Sequence, residues 1–273
     1  MRLSVRHVTR YRYEHPLAHT VQQLRLTPPT LVGQKVVSWS IDVPGYERAA
    51  RYTDAFGNPV DIVSHREAMD ELTITVEGVV ETQDRAGVVG HPRSPAPDNV
   101  FCRFTPLTKA NPAIRRLGAI AEREGPDAVA GFHDLMHAIR DKVAYRTGVT
   151  EVHTSAVEAL NAGEGVCQDH AHIFIAAARA IGVPARYVSG YMLLEGGQDS
   201  EAHHAWAEVM LPQLGWVGFD ISNGMCPTDR YIRLTCGLDS RSAAPIRGIR
   251  MGGSGENMDV EVAVSQESQQ SQQ

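Results

Sequence analysis

The sequence lacks both an excess of basic residues and any long apolar run. Its 273 residues include 26 lysines and arginines against 32 aspartates and glutamates, which gives a formal net charge of -6. Proteins that bind nucleic acid usually carry a basic face, and a helix that spans a bilayer needs about 18 or more consecutive apolar residues. We therefore expect no nucleic-acid partner and no membrane-spanning segment.

The first residues, MRLSVRHVTRYRYEHPL, lack the features of a secretory leader. Arginine alternates with apolar residues, and neither an uninterrupted apolar region nor a small-residue cleavage site is present. A signal peptide needs both of these features. We therefore predict a cytoplasmic protein, unless a cleaved segment precedes this sequence.

Cysteine is scarce, and its spacing excludes the common cysteine-based scaffolds. Cys102, Cys167, Cys226 and Cys236 form no C-x-x-C pair, and their spacing fits no zinc module. A calcium loop of the D-x-D-x-D-G type is also absent. We therefore predict no metal and no cofactor. Cytoplasmic thiols stay reduced, and all of these cysteines except Cys167 are expected to be small, partly buried apolar residues.

The first part of the chain, residues 1 to about 85, has the pattern of β-strands. RLSVRHVTRYRY alternates, and VVSWSIDVPG and ELTITVEGVVET are rich in β-branched and aromatic residues. DAFGNPVDIV is typical of a hairpin with a turn at its glycine, asparagine and proline. We predict an antiparallel, sandwich-like N-terminal module over residues 1–112, in which the Gly- and Pro-rich residues 86–112 are a linker or crossing loop.

The period of the apolar residues becomes helical after Asn111, which resembles an N-cap followed by proline. Further helices are predicted in DAVAGFHDLMHAIRDKVAY, in TSAVEALNAGEG, capped by Thr154 or Ser155, and from Cys167 onward. Strand-like pieces follow, and the last of them is MDVEVAV. We predict an α+β fold, with a catalytic core over residues 113–264 that includes this C-terminal strand. Residues 265–273 are predicted to be a disordered polar tail.

Cys167 follows a glycine-rich turn and begins an apolar helix. A thiolate, not a thiol, is the nucleophile, and a helix N-terminus supplies partial positive charge and free N–H groups. Those N–H groups could also stabilise an oxyanion. A buried, inert cysteine is the alternative interpretation of a lone residue of this type.

Two later residues favour a nucleophilic role. His204 lies on one strand-like piece and Asp220 ends the next. Adjacent antiparallel strands could place them side by side, so that His204 activates Cys167 and Asp220 orients the imidazole ring. His203 is the rival base, but neighbouring residues on a strand point to opposite faces, so only one of the two can face Cys167.

Four motifs in this order resemble the transglutaminase-like superfamily, in particular its bacterial cysteine peptidases. They are GVCQDHAH, GVPARYVSGYM, HHAWAEVMLP and GWVGFDISN. VRHVTRYRYEHPL resembles the N-terminal module of those proteins, and APIRGIRMGG resembles their C-terminal segment. The resemblance implies a papain-like core with Cys167 as nucleophile, His204 as general base and then acid, and Asp220 as orienter. DISN replaces the aspartate-proline-threonine that relatives often carry, so the turn after Asp220 is expected to differ.

The resemblance implies a thiol acyl-transfer enzyme that acts on a peptide or protein substrate. We expect hydrolysis of peptide or carboxamide bonds through a thioester. Two alternatives stay open: transfer of the acyl group to an amine, as in a transglutaminase, and a non-catalytic binding or scaffold protein. The N-terminal module could bind the substrate or a partner, cover the core, or form the contact surface of a homo-oligomer.

Three polar residues near Cys167 are interpreted as structural. Asp169 lies in the first helical turn, where a carboxylate suits the helix dipole. His170 and His172 are two apart on the helix, so they point in different directions and do not form a pair of metal ligands. We expect a capping or hydrogen-bonding role for Asp169 and packed or hydrogen-bonded rings for both histidines.

Overall fold

The computed structural model describes residues 1–92, 94–123, 125, 127–194 and 203–267. It combines two antiparallel sheets with helices that pack against the second sheet, which confirms the predicted α+β class. None of the helices in these ranges is long and apolar enough to cross a bilayer.

The N-terminal sheet is built on one long strand. Its first five strands are β1 (Arg2–Leu24), β2 (Gln34–Asp42), β3 (Glu47–Thr53), β4 (Pro59–His65) and β5 (Met69–Thr82). The first half of β1 pairs with β5 and the second half with β4, and the register shifts between Arg12 and Leu17. The strand order is β2-β5-β1-β4-β3. Strands β3 and β4 form the predicted hairpin around Gly57.

The C-terminal strands join this N-terminal sheet, so their predicted place in the catalytic core is wrong. Strands β13 (Ile246–Gly252) and β14 (Glu256–Gln266) both pair antiparallel with β1. The physical reason is that each half of β1 has two edges: β5 or β4 occupies one edge, and β14 or β13 occupies the other. Val262 and Val264 pack into the apolar core of the module.

The predicted disordered tail begins too early in the chain. Ser265 and Gln266 are paired with Ser4 and Leu3 at the end of β14. Residues 268–273 of the predicted tail lie outside the described residues.

The described residues of the stretch 86–112 are part of the fold that carries Cys167, so the interpretation of this stretch as a linker is wrong. Strand β6 (Val88–Gly90) adds to the edge of the second sheet. Short 3-10 turns follow at Asp98–Cys102 and Pro106–Thr108. Phe101 is fully buried, with its ring centroid 5.1 Å from that of Trp216. Glycine and proline are used here for tight turns within a packed segment.

The second sheet belongs to the half of the chain that carries Cys167, His204 and Asp220. Its remaining strands are β9 (Ala185–Met192), β10 (His203–Leu211), β11 (Gly215–Phe219) and β12 (Tyr231–Gly237), in the order β12-β9-β10-β11-β6. A separate parallel pair is formed by β7 (Ala144–Tyr145) and β8 (Glu164–Gly165). The helices are α1 (Pro112–Gly118), α2 (Asp127–Lys142), α3 (Ala156–Ala162) and α4 (Cys167–Ala180). Asn111 caps α1 and Ser155 caps α3, as predicted.

Helix α4 is the central helix of this half. Every residue from Asp169 to Arg179 is buried, as expected for a helix that is apolar on all sides. It packs on the face of β10 that carries Ala205, Ala207 and Val209. Burial of each large apolar side chain, such as Phe174, contributes about 1.5–3 kcal/mol. The beginning of α4 is therefore held firmly against the sheet.

Candidate active site

Cys167 is the first residue of α4, and a tight turn places it there. The turn contains Gly163, whose φ of 72° favours glycine. Gly165 allows close packing, since a Cβ at this position would lie 2.8 Å from Oδ2 of Asp169. Asp169 accepts hydrogen bonds from the N–H of Val166 at 2.9 Å and from the hydroxyl of Thr150 at 2.7 Å. Asp169 thus caps the start of α4 and accepts a hydrogen bond from Thr150, which is the structural role expected for it.

The thiol of Cys167 is partly exposed, and it is free of any disulfide. The N–H groups of Asp169 and His170 both bond to the carbonyl of Val166. The N–H groups of Cys167 and Gln168 occupy the first two helical positions, which have no partner within a helix. Two backbone donors and the positive end of the helix dipole therefore lie beside the sulfur.

His204 lies at the start of β10 and contacts both of its predicted partners. Its Nε2 is 2.7 Å from Oδ2 of Asp220, which directly follows β11. Cys167 lies close enough to His204 to raise the pKa of the imidazole. His204 and Asp220 are buried, at 6% and 0% exposure. The structure thus brings the three predicted residues together, and their catalytic roles stay a prediction.

Electrostatics at this cluster favour a charged imidazole. Burial alone would lower the pKa of His204, but hydrogen bonds and negative charge from Asp220 and Cys167 raise this pKa to about 10. Burial likewise opposes the charge of Asp220, yet His204, Asn223 and Tyr231 together hold the pKa of Asp220 below its usual value. The arrangement is that of an imidazolium held between a carboxylate and a sulfur.

His203 does not share this cluster. Its Nε2 is 2.9 Å from the hydroxyl oxygen of Ser189, on the neighbouring strand β9. This separation follows from the alternation of side chains along β10. His204, not His203, is therefore the histidine that faces Cys167.

Comparison with known proteins gives the family. The model of the transglutaminase-like superfamily matches residues 118–221, and that of the bacterial transglutaminase-like N-terminal region matches residues 3–81. An uncharacterized protein of Mycobacterium leprae is 31% identical, over 97% of this chain and 98% of its own. The chain belongs to the transglutaminase-like superfamily.

Two further comparisons cover nearly the whole of this transglutaminase-like protein. An uncharacterized protein of Mycobacterium tuberculosis is 31% identical, over 96% of this chain and 91% of its own. The crystal structure of a candidate cysteine protease from Cytophaga hutchinsonii has a TM-score of 0.74 and 21% identity. That alignment covers 98% of this chain and 92% of the other. At this identity the likeness shows the fold, with the N-terminal module included.

Two residues that sequence reasoning missed complete the surroundings of Asp220 in this transglutaminase-like core. Asn223 donates from Nδ2 to Oδ2 of Asp220 at 2.6 Å and from its backbone N–H to Oδ1 at 3.2 Å. The hydroxyl of Tyr231 donates to the same Oδ2 at 2.8 Å. Both residues lie beyond position 221, where the match to the family core ends. Asn223 had a sequence signal in the altered turn DISN, but Tyr231 had none.

The two histidines of α4, His170 and His172, are hydrogen-bonded to residues outside the candidate cluster. His170 is 2.8 Å from the hydroxyl of Ser222 and 2.9 Å from the carbonyl of Val143. Nε2 of His172 accepts from the N–H of Ser240 at 3.1 Å. Burial lowers the pKa of both rings. Within the described ranges, no three His, Cys, Asp or Glu side chains are grouped so that they could hold a metal ion.

The remaining cysteines are packed in three different places. Cys236 is buried, and Cys102 donates to the carbonyl of Gly182 at 3.6 Å. Cys226 lies 3.8 Å from Nε2 of His133, which is carried by α2. Burial and the charge of Asp84 raise the pKa of Cys226 to about 11. Cys226 is therefore a thiol, not a thiolate, at neutral pH.

Proposed function

We propose that this protein is a thiol acyl-transfer enzyme that hydrolyses peptide or carboxamide bonds. The observation that supports this proposal is the contact of His204 with both Cys167 and Asp220 at the N-terminus of a buried helix. A nucleophile, a base in contact with it and a third group that orients the base are the requirements for this chemistry.

The first half of the reaction forms a thioester. The sulfur of Cys167 attacks the carbonyl carbon of the substrate, and the carbonyl oxygen becomes an oxyanion. The N–H groups of Cys167 and Gln168 are the donors proposed to stabilise it. The carbon–nitrogen bond then breaks, and His204 gives its proton to the leaving amine. The amine departs and the acyl group stays on Cys167.

The second half of the reaction releases the acid. His204, now neutral, takes a proton from water as the water oxygen attacks the thioester carbonyl. The carbon–sulfur bond breaks, the carboxylic acid leaves, and the pair of Cys167 and His204 is restored. Asp220 keeps the imidazole oriented and stabilises its charge throughout. Hydrolysis is proposed over amine transfer because the motifs resemble the peptidase-like bacterial members of the superfamily.

The proposal is tested with the full chain and a mixture of glutamine-containing peptides and peptide amides, with and without an added primary amine. Mass spectrometry then distinguishes acid products from amine adducts. Acid products that disappear in Cys167→Ala but persist in Cys226→Ala support hydrolysis. Adducts that form in preference to acid would instead establish a transglutaminase. If neither product forms and Cys167 resists alkylation, the scaffold alternative replaces the proposal.

A further inference from the structure

The N-terminal module is hydrogen-bonded to β12, the edge strand of the second sheet, through the side-chain amide of Gln34. Among the described strands, β12 has β9 as its single partner. On its open side, Oε1 of Gln34 accepts from the N–H of Arg233 at 2.7 Å. Nε2 of Gln34 donates to the carbonyl of the same residue at 2.9 Å. Gln34 thus satisfies the backbone of Arg233 as a neighbouring strand would.

A second amide of the module repeats this contact further along β12. Oδ1 of Asn58 accepts from the N–H of Cys236 at 2.8 Å, and Nδ2 donates to its carbonyl at 2.8 Å. Asn58 belongs to the β3–β4 loop and is 1% exposed. The hydroxyl of Thr82 also donates to the carbonyl of Asp229, just before β12. Three separate segments of the module therefore fix the position of this strand.

The first residue of β12 reaches the candidate active site. The Tyr231 hydroxyl donates to Oδ2 of Asp220 at 2.8 Å, and its ring lies 6.2 Å from the ring of His204. Burial and the charge of Asp220 raise the pKa of Tyr231, so its hydroxyl keeps its proton and stays a donor. The same strand is tied to β10 by a buried bond of 2.9 Å from Arg233 to Glu208.

We propose that the N-terminal module positions the carboxylate of Asp220: Gln34 and Asn58 fix β12, and Tyr231 on β12 holds Asp220. This inference rests on the proposed acyl-transfer function, and it assigns all three as positioning residues. Hydrogen bonds weaken steeply when donor and acceptor shift by a few tenths of an ångström or turn away. Because β12 is hydrogen-bonded to the module at two backbone positions, the Tyr231 hydroxyl stays within hydrogen-bonding distance of Asp220.

The experiment measures alkylation of Cys167 by iodoacetamide in the full chain from pH 4 to 9, and it requires no substrate. The variants are Tyr231→Phe, Gln34→Ala and the double variant. Gln23→Ala is the matched control, because Gln23 bonds to Tyr52 within the module and not to β12. Without the Tyr231 donor the carboxylate of Asp220 is held less firmly, so it stabilises the His204 imidazolium less, and the Cys167 thiolate loses part of its counter-charge. We expect the acid limb of the profile to move up by about one pH unit, which is about tenfold slower alkylation on that limb.

Gln34→Ala should move the acid limb in the same direction by about a third to a half of that shift, since a hydrogen bond is weakened and not deleted. The double variant should equal Tyr231→Phe alone, because Gln34 acts through Tyr231. Gln23→Ala should leave the profile unchanged. If Gln34→Ala does not fold, Gln34→Glu keeps the acceptor for Arg233 and removes the donor, and the same shift is expected.

Two results would overturn this inference alone. One is a Gln34 variant that is less stable to heat but keeps the wild-type acid limb. The other is a double variant in which the two shifts add. Failure of the proposed function has a different signature: in that case wild-type alkylation of Cys167 would not depend on His204 at all.

Discussion

The described part of the chain has two cysteine–histidine contacts, and they differ in their surroundings. Cys167 begins a helix and faces His204, which Asp220 holds at 2.7 Å. Cys226 follows a turn and lies 3.8 Å from His133. Within the described residues, no hydrogen bond joins the His133 ring to a carboxylate. Burial raises the pKa of Cys226 and lowers that of His133, so both partners of this second pair favour their neutral forms.

The comparison shows that a sulfur–imidazole contact does not by itself make a nucleophile. Burial opposes charge at His204 and at His133 alike. At His204 a buried carboxylate outweighs that cost, and at His133 nothing of comparable strength does. The carboxylate and the helix N-terminus are thus the parts that distinguish the candidate site.

The largest difference between the two cysteine–histidine pairs is expected in the activity of variants that lack the sulfur of Cys167 or of Cys226. We expect Cys167→Ala to reduce hydrolysis of an identified amide substrate by about a thousandfold or more, because the proposed thioester forms on the sulfur of Cys167. Cys226→Ala should leave turnover within about twofold of wild type. Steady-state kinetics on both variants checks this expectation, and equal losses would show that Cys226 also takes part.

Removal of each histidine should separate the pairs further. His204→Ala is expected to slow alkylation of Cys167 at pH 6 by about tenfold to a hundredfold, because the thiolate loses its counter-ion. His133→Ala should not change that rate, and Cys226 should alkylate slowly in both proteins. Peptide mass spectrometry measures alkylation at each cysteine separately. An alkylation rate of Cys167 that is the same in wild type and His204→Ala would contradict the assignment of His204 as the partner of the thiolate.

The pH dependence of stability should have opposite signs for the two histidines. The folded pKa of His204, about 10, exceeds the ordinary 6.5, so its contribution is complete below pH 6.5 and is lost as pH rises through 10. The advantage of wild type over His204→Gln should therefore fall between pH 6 and 10 by on the order of 2 kcal/mol. Asp220 is ionised throughout this window and does not alter the trend.

The contribution of His133 to stability should depend on pH in the opposite direction. Its pKa is lowered by folding, so its contribution is present above pH 6.5 and is lost as pH falls. The advantage of wild type over His133→Gln should shrink from pH 8 to pH 5. Urea unfolding at each pH gives both trends, and trends of the same sign would refute the distinction.

A smaller effect on the alkylation of Cys167 is expected from removal of Asn223, a hydrogen-bond donor to Asp220. Asn223→Ala removes the 2.6 Å bond to Oδ2 of Asp220 and should slow alkylation of Cys167 at pH 5 by about threefold. Asn161→Ala is a suitable control because Asn161 is exposed on α3. Equal rates in all three proteins would mean that Asn223 does not support the charge of Asp220.

The family and the three central residues could be predicted from the sequence because each lies in a short motif. Cys167 follows a glycine turn, and His204 and Asp220 lie in strand motifs that keep their spacing. Tyr231 could not be predicted, since its role depends on how β12 docks against β9 and the module. β13 and β14 were misplaced for a similar reason: their partner β1 is more than 200 residues away in sequence.

Composition misled the interpretation of residues 86–112. Glycine and proline are frequent in linkers and also in tightly packed turns, so abundance alone does not separate the two. Phe101 was the better indicator, because a large aromatic side chain in such a segment usually needs a buried place. Phe101 packs on Trp216, and strand β6 of this segment forms an edge of the second sheet.

The pairing of β14 with β1 has a consequence for synthesis on the ribosome. Leu3 is paired with Gln266, so β1 obtains its neighbour β14 only after strands β2 to β13 have been synthesised. Until then β1 has an unpaired edge, which is an aggregation hazard. Pairing across such a sequence separation is also slow. The half of the chain that carries Cys167 can therefore fold before the N-terminal module gains its last two strands.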